Sequence, residues 1–252
     1  MITGASSGIG EAVARRLAGR GWRCVLLARR EERLRPLAES LGGEYEVCDV
    51  GDRARVEAVA ARIGERHPRI HMLVNNAGIP SRGDFLTTTP EDIEQVLRVN
   101  YLGGVWCLRA LLPALEAGAP AHVVNVVSVA GSVALARSGP YAASKHAQLA
   151  FSRALAAQLP ARGIRVHTIN PGFVETEGFP QAALRRQPLV GRLVARPELV
   201  ARRLVAAVEH DRSEVVVPAW YRVASVVQAL VPGPLGRIAG RTAARGGNGK
   251  LP

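Results

Sequence analysis

Lysine is almost missing from this chain. Of its 33 basic residues only Lys145 and Lys250 are lysines, and Lys250 sits in a Gly-rich tail. Arginine stays charged and presents a wide planar fork, whereas lysine is a compact cation whose pKa moves with its surroundings. A position chemically intolerant of arginine accounts for Lys145. Cysteine is scarce too. Cys24, Cys48 and Cys107 are scattered and form no CxxC pair, which argues against a disulfide framework or a zinc site. They read as small core residues, and no metal is expected. No apolar run is long enough to span a bilayer. The Gly- and Ser-rich start lacks a basic segment followed by an apolar one, so the expected compartment is the cytoplasm. Aromatics make up 4% of the chain and do not interleave with its basic residues. The net charge of +12, of which +8 lies from Arg185 onward, therefore reads as a solvated, arginine-biased surface and not as a nucleic-acid site.

What remains is an apolar fraction of 48% in 252 residues, enough for one α/β domain with a full core. Short β-branched runs predict strands at Arg23–Ala28, Glu44–Asp49, Met72–Asn75, His122–Ser128, Ile164–Ile169 and Glu214–Val217. Amphipathic stretches predict helices at Glu11–Gly19, Glu31–Leu41, Arg53–Arg66, Pro90–Leu115, Tyr141–Leu159 and Pro197–Glu209. This alternation implies a doubly wound parallel sheet flanked by helices. Residues 1–218 are expected to form a dinucleotide-binding and catalytic domain. Residues 219–252 are expected to be an extension ending in a disordered basic tail, Arg241–Pro252. Only Met1, Ile2 and Thr3 precede the first glycine turn, which suggests that the natural start lies upstream.

That turn is Gly4-Ala5-Ser6-Ser7-Gly8-Ile9-Gly10, a GxxxGxG spacing at the head of a helix. Its glycines allow positive φ and close approach of a pyrophosphate, and the helix N-terminus offers unpaired N–H groups to it. The hydroxyls of Ser6 and Ser7 are candidate further donors. The next strand ends Ala28-Arg29-Arg30, with no acid to hold a ribose 2′-hydroxyl. Arg29 suits a 2′-phosphate, which favours NADP(H) over NAD(H). The alternative is that Arg29 and Arg30 merely pair with Glu31 and Glu32.

Tyr141 and Lys145 lie one turn apart on one helical face. A cation there is expected to lower the phenol pKa, making Tyr141 a usable acid and base. Ser128, at the carboxyl end of a strand, is placed to hydrogen-bond a substrate oxygen.

With TGASSGIG at Thr3–Gly10, Asp49-Val50, NNAG at Asn75–Gly78, Asn100, Ser128, YAASK at Tyr141–Lys145 and Asn170-Pro171-Gly172 with Thr176, the chain resembles the short-chain dehydrogenase/reductase family from Thr3 to about Pro218. The resemblance implies a Rossmann-type sheet of about seven strands and a catalytic tetrad of Asn100, Ser128, Tyr141 and Lys145. It implies that Asn100 anchors a water linking Lys145 to solvent and that Lys145 holds the nicotinamide ribose. It implies that Asp49 and Val50 lie near the adenine, that Asn75 to Gly78, with Asn76 and Ala77, line the cofactor cleft, and that Pro171, Gly172, Val174 and Thr176 hold the carboxamide. It also implies a homodimer or homotetramer, formed through the helices at Pro90–Leu115 and Tyr141–Leu159. His71 departs from the family, which usually has an acid there.

The function expected is interconversion of a carbonyl and an alcohol by hydride transfer. The alternative is a catalytically silent NADPH-binding sensor or scaffold. The substrate loop, Phe173–Gly191, carries Phe173, Phe179, Leu184, Leu189 and Val190 with Arg185 and Arg186, which suggests a small lipophilic substrate. Residues 220–238 are expected to fold over the substrate mouth or pack on another subunit, with contact to a membrane surface ranked below both.

Overall fold

Runs of Val, Leu and Ile with no polar interruption become strands covered on both faces, as parallel strands require. The computed structural model describes residues 1–81, 87–134, 138–179 and 194–233. In chain order its elements are β1 (Ile2–Thr3), α1 (Gly8–Ala18), β2 (Val25–Ala28), α2 (Glu31–Ser40), β3 (Glu44–Val47), α3 (Arg53–Arg66) and β4 (Met72–Asn75). There follow α4 (Pro90–Leu97), a π-helical segment (Arg98–Leu102), α5 (Gly103–Ala117), β5 (Ala121–Val126), α6 (Gly139–Gln158) and β6 (Ile164–Pro171). The last described elements are α7 (Pro197–Glu209), β7 (Glu214–Val217) and α8 (Arg222–Leu230).

The strands form one seven-stranded sheet in the order β3-β2-β1-β4-β5-β6-β7. Every pairing is parallel. The order reverses at β1 and β4, and open α/β sheets bind ligands beyond the carboxyl ends of the strands at such a point. Side chains alternate across the sheet. Leu26, Val74, Val124 and Ile169 pack with α1, α2 and α7, while Leu27, Leu73, Val123 and Val166 pack with α3, α5 and α6. The short β1 still pairs on both sides, with β2 and with β4.

Two expectations change in ways that matter for the site. The helix expected over Pro90–Leu115 is broken by the π segment at Arg98–Leu102, which contains Asn100. The strand expected over His122–Ser128 stops at Val126, so Ser128 caps a short 3-10 turn at Val129–Gly131. Helix α1 also begins earlier than expected, at Gly8, within the glycine turn.

A buried polar chain seats α6 on the sheet. Asn75 Nδ2 donates to Asn125 Oδ1 at 3.0 Å, and Asn125 Nδ2 donates to Ser152 Oγ at 2.9 Å. Ser152 Oγ in turn shares a 2.7 Å hydrogen bond with Thr168 Oγ1. This chain ties β4, β5 and β6 to the helix that carries Tyr141 and Lys145. No described helix is long and apolar enough to cross a membrane.

Candidate active site

The carboxyl ends of the strands open into a cleft of about 850 Å3. Its entry is shaped by the glycine turn. Gly4 and Gly8 take φ of +64° and +59°, where a side chain is strained. A Cβ on Gly10 would stand 2.3 Å from the Gly4 carbonyl oxygen, and one on Gly8 would stand 2.8 Å from Thr176 Cγ2. Gly10 thus shapes the turn from behind, and Gly8 lets the turn approach Thr176 closely. Gly4, Ser6, Ser7 and Ile9 face the cleft.

The turn is laced to β4. Thr3 Oγ1 accepts from the Asn76 and Ala77 backbone N–H groups at 2.9 and 3.0 Å, and Asn76 Nδ2 donates to the Thr3 carbonyl at 3.0 Å. Asn76, Ala77 and Gly78 line the cleft as expected. Asn75 does not, because its side chain turns into the sheet to meet Asn125.

Arg29 and Asp49 face each other across the cleft rim at 3.9 Å, with Val50 beside them. Asp49 also accepts from the Gly51 N–H at 2.8 Å. The idea that Arg29 and Arg30 merely pair with Glu31 and Glu32 does not hold. Arg30 donates to Ser6 Oγ at 3.1 Å, to Ser7 Oγ at 2.9 Å and to Glu177 Oε1 at 2.7 Å. Arg33 reaches the other Glu177 oxygen at 2.6 Å. The hydrogen bond from Arg30, before other causes, holds the Glu177 carboxyl below the usual range. The sequence does not single out this arginine on the glycine turn because its acidic partner lies in the loop after β6, far along the chain.

Deeper in, Ser128, Tyr141 and Lys145 line one wall. The Ser128 hydroxyl accepts from the Ala130 N–H at 3.1 Å and interacts with the Tyr141 phenol. The Lys145 ammonium lies 5.9 Å from the Tyr141 ring centre. It donates to Gln148 Oε1 at 2.8 Å and to the Val126 carbonyl at 3.2 Å. Gln148 is a second residue the sequence did not single out. A glutamine three positions after the lysine reads as an ordinary polar helix residue until the structure shows it buried.

The expected electrostatic coupling is corrected here. Burial, not Lys145, dominates Tyr141 and pushes its phenol up to about 12, with the Ser128 hydrogen bond pulling the other way. Burial likewise pulls the Lys145 ammonium down to about 7. In the protein by itself both groups are driven toward their neutral forms.

Asn100 is almost fully buried and stands behind the wall. Its Oδ1 accepts from the Ile79 N–H at 2.7 Å, and its Nδ2 donates to the Ile79 carbonyl and to Ser144 Oγ, both at 3.0 Å. These bonds pull the chain out of α-helical register in the π segment, a distortion that recurs at functional sites. Asn100 and Lys145 converge across Gly78. A Cβ there would lie 3.4 Å from Asn100 Oδ1 and 3.7 Å from Lys145 Nζ.

Pro171, Gly172, Val174 and Thr176 form the far wall. Gly172 is required by its neighbour, since a Cβ would stand 2.1 Å from the Tyr221 ring. Tyr221 and Ala224, beyond Pro218, therefore join the lining. Phe173 and Phe179 of the expected substrate loop line it too, and the Phe179 ring lies 5.4 Å from that of Tyr141. Leu184, Arg185, Arg186, Leu189 and Val190, and the tail Arg241–Pro252, lie outside the described residues. The three cysteines are free and buried, and burial pushes the Cys107 thiol up to about 12.

Comparisons with known proteins bear on the family and the fold. A family model described as short chain dehydrogenase matches residues 1–186. The chain is 32% identical over 237 residues to Dehydrogenase/reductase SDR family member 7B of Danio rerio, covering 86% of this chain and 76% of that protein. It is 38% identical over 195 residues to a putative ketoacyl reductase of Streptomyces coelicolor, covering 74% of this chain and 73% of that protein. Among solved structures it superposes on a short chain dehydrogenase/reductase from Burkholderia phymatum in complex with NAD, with a TM-score of 0.79 at 28% identity over 90% of this chain and 91% of that one. It also superposes on an alcohol dehydrogenase from Thermococcus sibiricus complexed with 5-hydroxy-NADP, with a TM-score of 0.76 at 27% identity over 85% of this chain and 93% of that one.

Proposed function

The chain belongs to the short-chain dehydrogenase family, and from that premise we propose that it interconverts a lipophilic carbonyl and its alcohol with NADP(H), Tyr141 acting as general acid and base. One observation carries the reading. The Tyr141 phenol, the Ser128 hydroxyl and the Lys145 ammonium share the wall of a cleft that opens where the strand order reverses.

The cleft fits a dinucleotide. Its entry is a backbone cradle that side chains at Gly4, Gly8 and Gly10 would obstruct or strain, at the head of α1, where unpaired N–H groups favour phosphate. The turn would hold the pyrophosphate, Asp49 and Val50 the adenine side, and Asn76 to Gly78 the adjoining wall. Tyr141 and Lys145 would hold the nicotinamide ribose, and Pro171, Gly172, Val174 and Thr176 the carboxamide. Arg29 at the rim, with Arg30 above the turn, supports a preference for the 2′-phosphate of NADP(H). When bound, the nicotinamide supplies or accepts the hydride.

The protein's own part is the proton. In reduction the Tyr141 phenol donates to the substrate oxygen while the Ser128 hydroxyl hydrogen-bonds that oxygen. In oxidation the phenolate takes the proton back. The phenol is protonated at neutral pH, and burial raises the cost of its phenolate form, so the unaided side chain starts as the proton donor. Its work as a base draws on positive charge from Lys145 and from oxidised nicotinamide. Asn100, next to Lys145 across Gly78, anchors a water that passes protons between Lys145 and solvent.

The apolar wall of Phe173, Phe179 and Tyr221 supports a lipophilic substrate. A homodimer or homotetramer through α4, α5 and α6 completes the reading. The test is loss of the reduced-nicotinamide absorbance across a panel of aliphatic, aromatic and acyl-thioester carbonyls, with NADPH and NADH in parallel. Turnover with NADPH on at least one apolar carbonyl is expected. Equal efficiency with NADH would overturn the cofactor assignment.

A further inference from the structure

Among the described residues, every exposed large apolar side chain except Trp22 belongs to one patch. The patch consists of Phe173, Trp220 and five side chains between residues 223 and 231. Helix α8 buries none of its residues. Val223, Val226, Val227 and Leu230 recur at helical spacing and form one outward stripe, with Val223 66% and Leu230 76% exposed. The inward side is polar or small: Ser225 shares a 2.7 Å hydrogen bond with Ser132, and Ala224 lines the cleft. The patch runs into the cleft mouth through stacked rings. Trp220 lies 3.7 Å from Tyr221, and Phe173 meets Tyr221 edge-on at 6.2 Å. Contiguous apolar surface of this kind marks an interaction site.

Charge selects the occupant. After Glu214 the sequence has no acidic residue, while Arg222, Arg237, Arg241, Arg245 and Lys250 are basic. A second copy would bring no acidic residue from its own segment after Glu214 to pair with these basic ones. An apolar stripe with aromatic rings, followed by a purely basic chain, complements a surface that is apolar inside and negative outside. We propose that α8 and its neighbouring rings dock on an anionic lipid bilayer. The cleft mouth then faces the lipid, and a lipophilic carbonyl reaches Tyr141 from the bilayer side. This last clause rests on the proposed function, whereas the docking does not.

The test is flotation of the full chain with vesicles of phosphatidylcholine alone, and of phosphatidylcholine with roughly a third phosphatidylglycerol. The protein is expected to float with the anionic vesicles and to be released by salt. Val226→Glu with Leu230→Glu is expected to lower the bound fraction by about tenfold or more. NADPH binding and the melting transition, followed on the same samples, should stay as in the parent protein, and they report folding independently of lipid. Absence of flotation with anionic vesicles would overturn the proposal, as would flotation unchanged by the double substitution. A parent dimer that the substitutions convert to monomer, without any lipid binding, would assign the face to a second copy instead.

Discussion

The ammonium of Lys145 sits where charge is disfavoured, enclosed by protein and met by two neutral acceptors, Gln148 Oε1 and the Val126 carbonyl. Its folded pKa of about 7 lies below the ordinary lysine value of 10.5, so between those values the unfolded chain binds the extra proton. The group therefore opposes folding at neutral pH, and the penalty fades as pH rises from about 7 toward 10.5. Lys145→Met is expected to raise the melting temperature of the cofactor-free protein at pH 7 by several degrees while abolishing turnover. A lower melting temperature by calorimetry would contradict that sign. Gln148 acts through Lys145. Removing its carbonyl in Gln148→Leu should pull the lysine pKa lower and move the high-pH limb of kcat/KM to lower pH. A carboxylate in Gln148→Glu should move that limb up. Identical pH profiles in all three proteins would reduce Gln148 to a packing residue.

Elements, not single side chains, explain what the sequence concealed. The residues Arg98 to Leu102 read as continuous helix because nothing in their own pattern opposes it. The π segment arises from bonds between Asn100 and the Ile79 backbone, which lies in the loop after β4. Arg30 read as a surface cation because its partner Glu177 lies in the loop after β6. That bridge links the glycine turn to the segment bearing Thr176. On the proposed NADP(H) preference Arg30 also serves the 2′-phosphate, so Arg30→Ala is expected to weaken NADPH binding by roughly tenfold and NADH binding much less, as measured by titration of cofactor fluorescence. Equal weakening of both would assign Arg30 to the loop alone. In sequence Gly172 enters only through the resemblance, as a residue against the carboxamide, but its need is the Tyr221 ring packed over it. Gly172→Ala should cost about 1–3 kcal/mol in denaturant unfolding, since ring or strand must shift. A change near zero would show that the ring moves aside freely.

Across the whole molecule, the apolar pattern located the elements better than it located their ends. Strand β4 and helices α3 and α7 appear at the boundaries their patterns predict, each laying an apolar face on the sheet core. Strand β7 matches too, although only its Val217 is buried, whereas the well-buried β5 stops short of Ser128. The motif residues converge for the same reason. Parallel strands all end on one side, which brings Gly4, Asn76, Ser128 and Pro171 to a single cleft from distant parts of the chain. Electrostatics were less legible, since desolvation depends on enclosure by the complete fold and raises the Tyr141 phenol where a neighbouring cation was expected to lower it. On the proposed function, Tyr141 exchanges a proton with a substrate whose carbon exchanges hydride with the nicotinamide. The most direct test is turnover of a reactive carbonyl with NADPH deuterated at the transferable C4 position, in the parent protein and in Tyr141→Phe. Deuterium is expected on the carbinol carbon from the parent, and a rate lower by roughly 10²–10⁴-fold in the variant with NADPH affinity unchanged. A Tyr141→Phe protein that delivers deuterium at close to the parent rate would contradict that role for Tyr141.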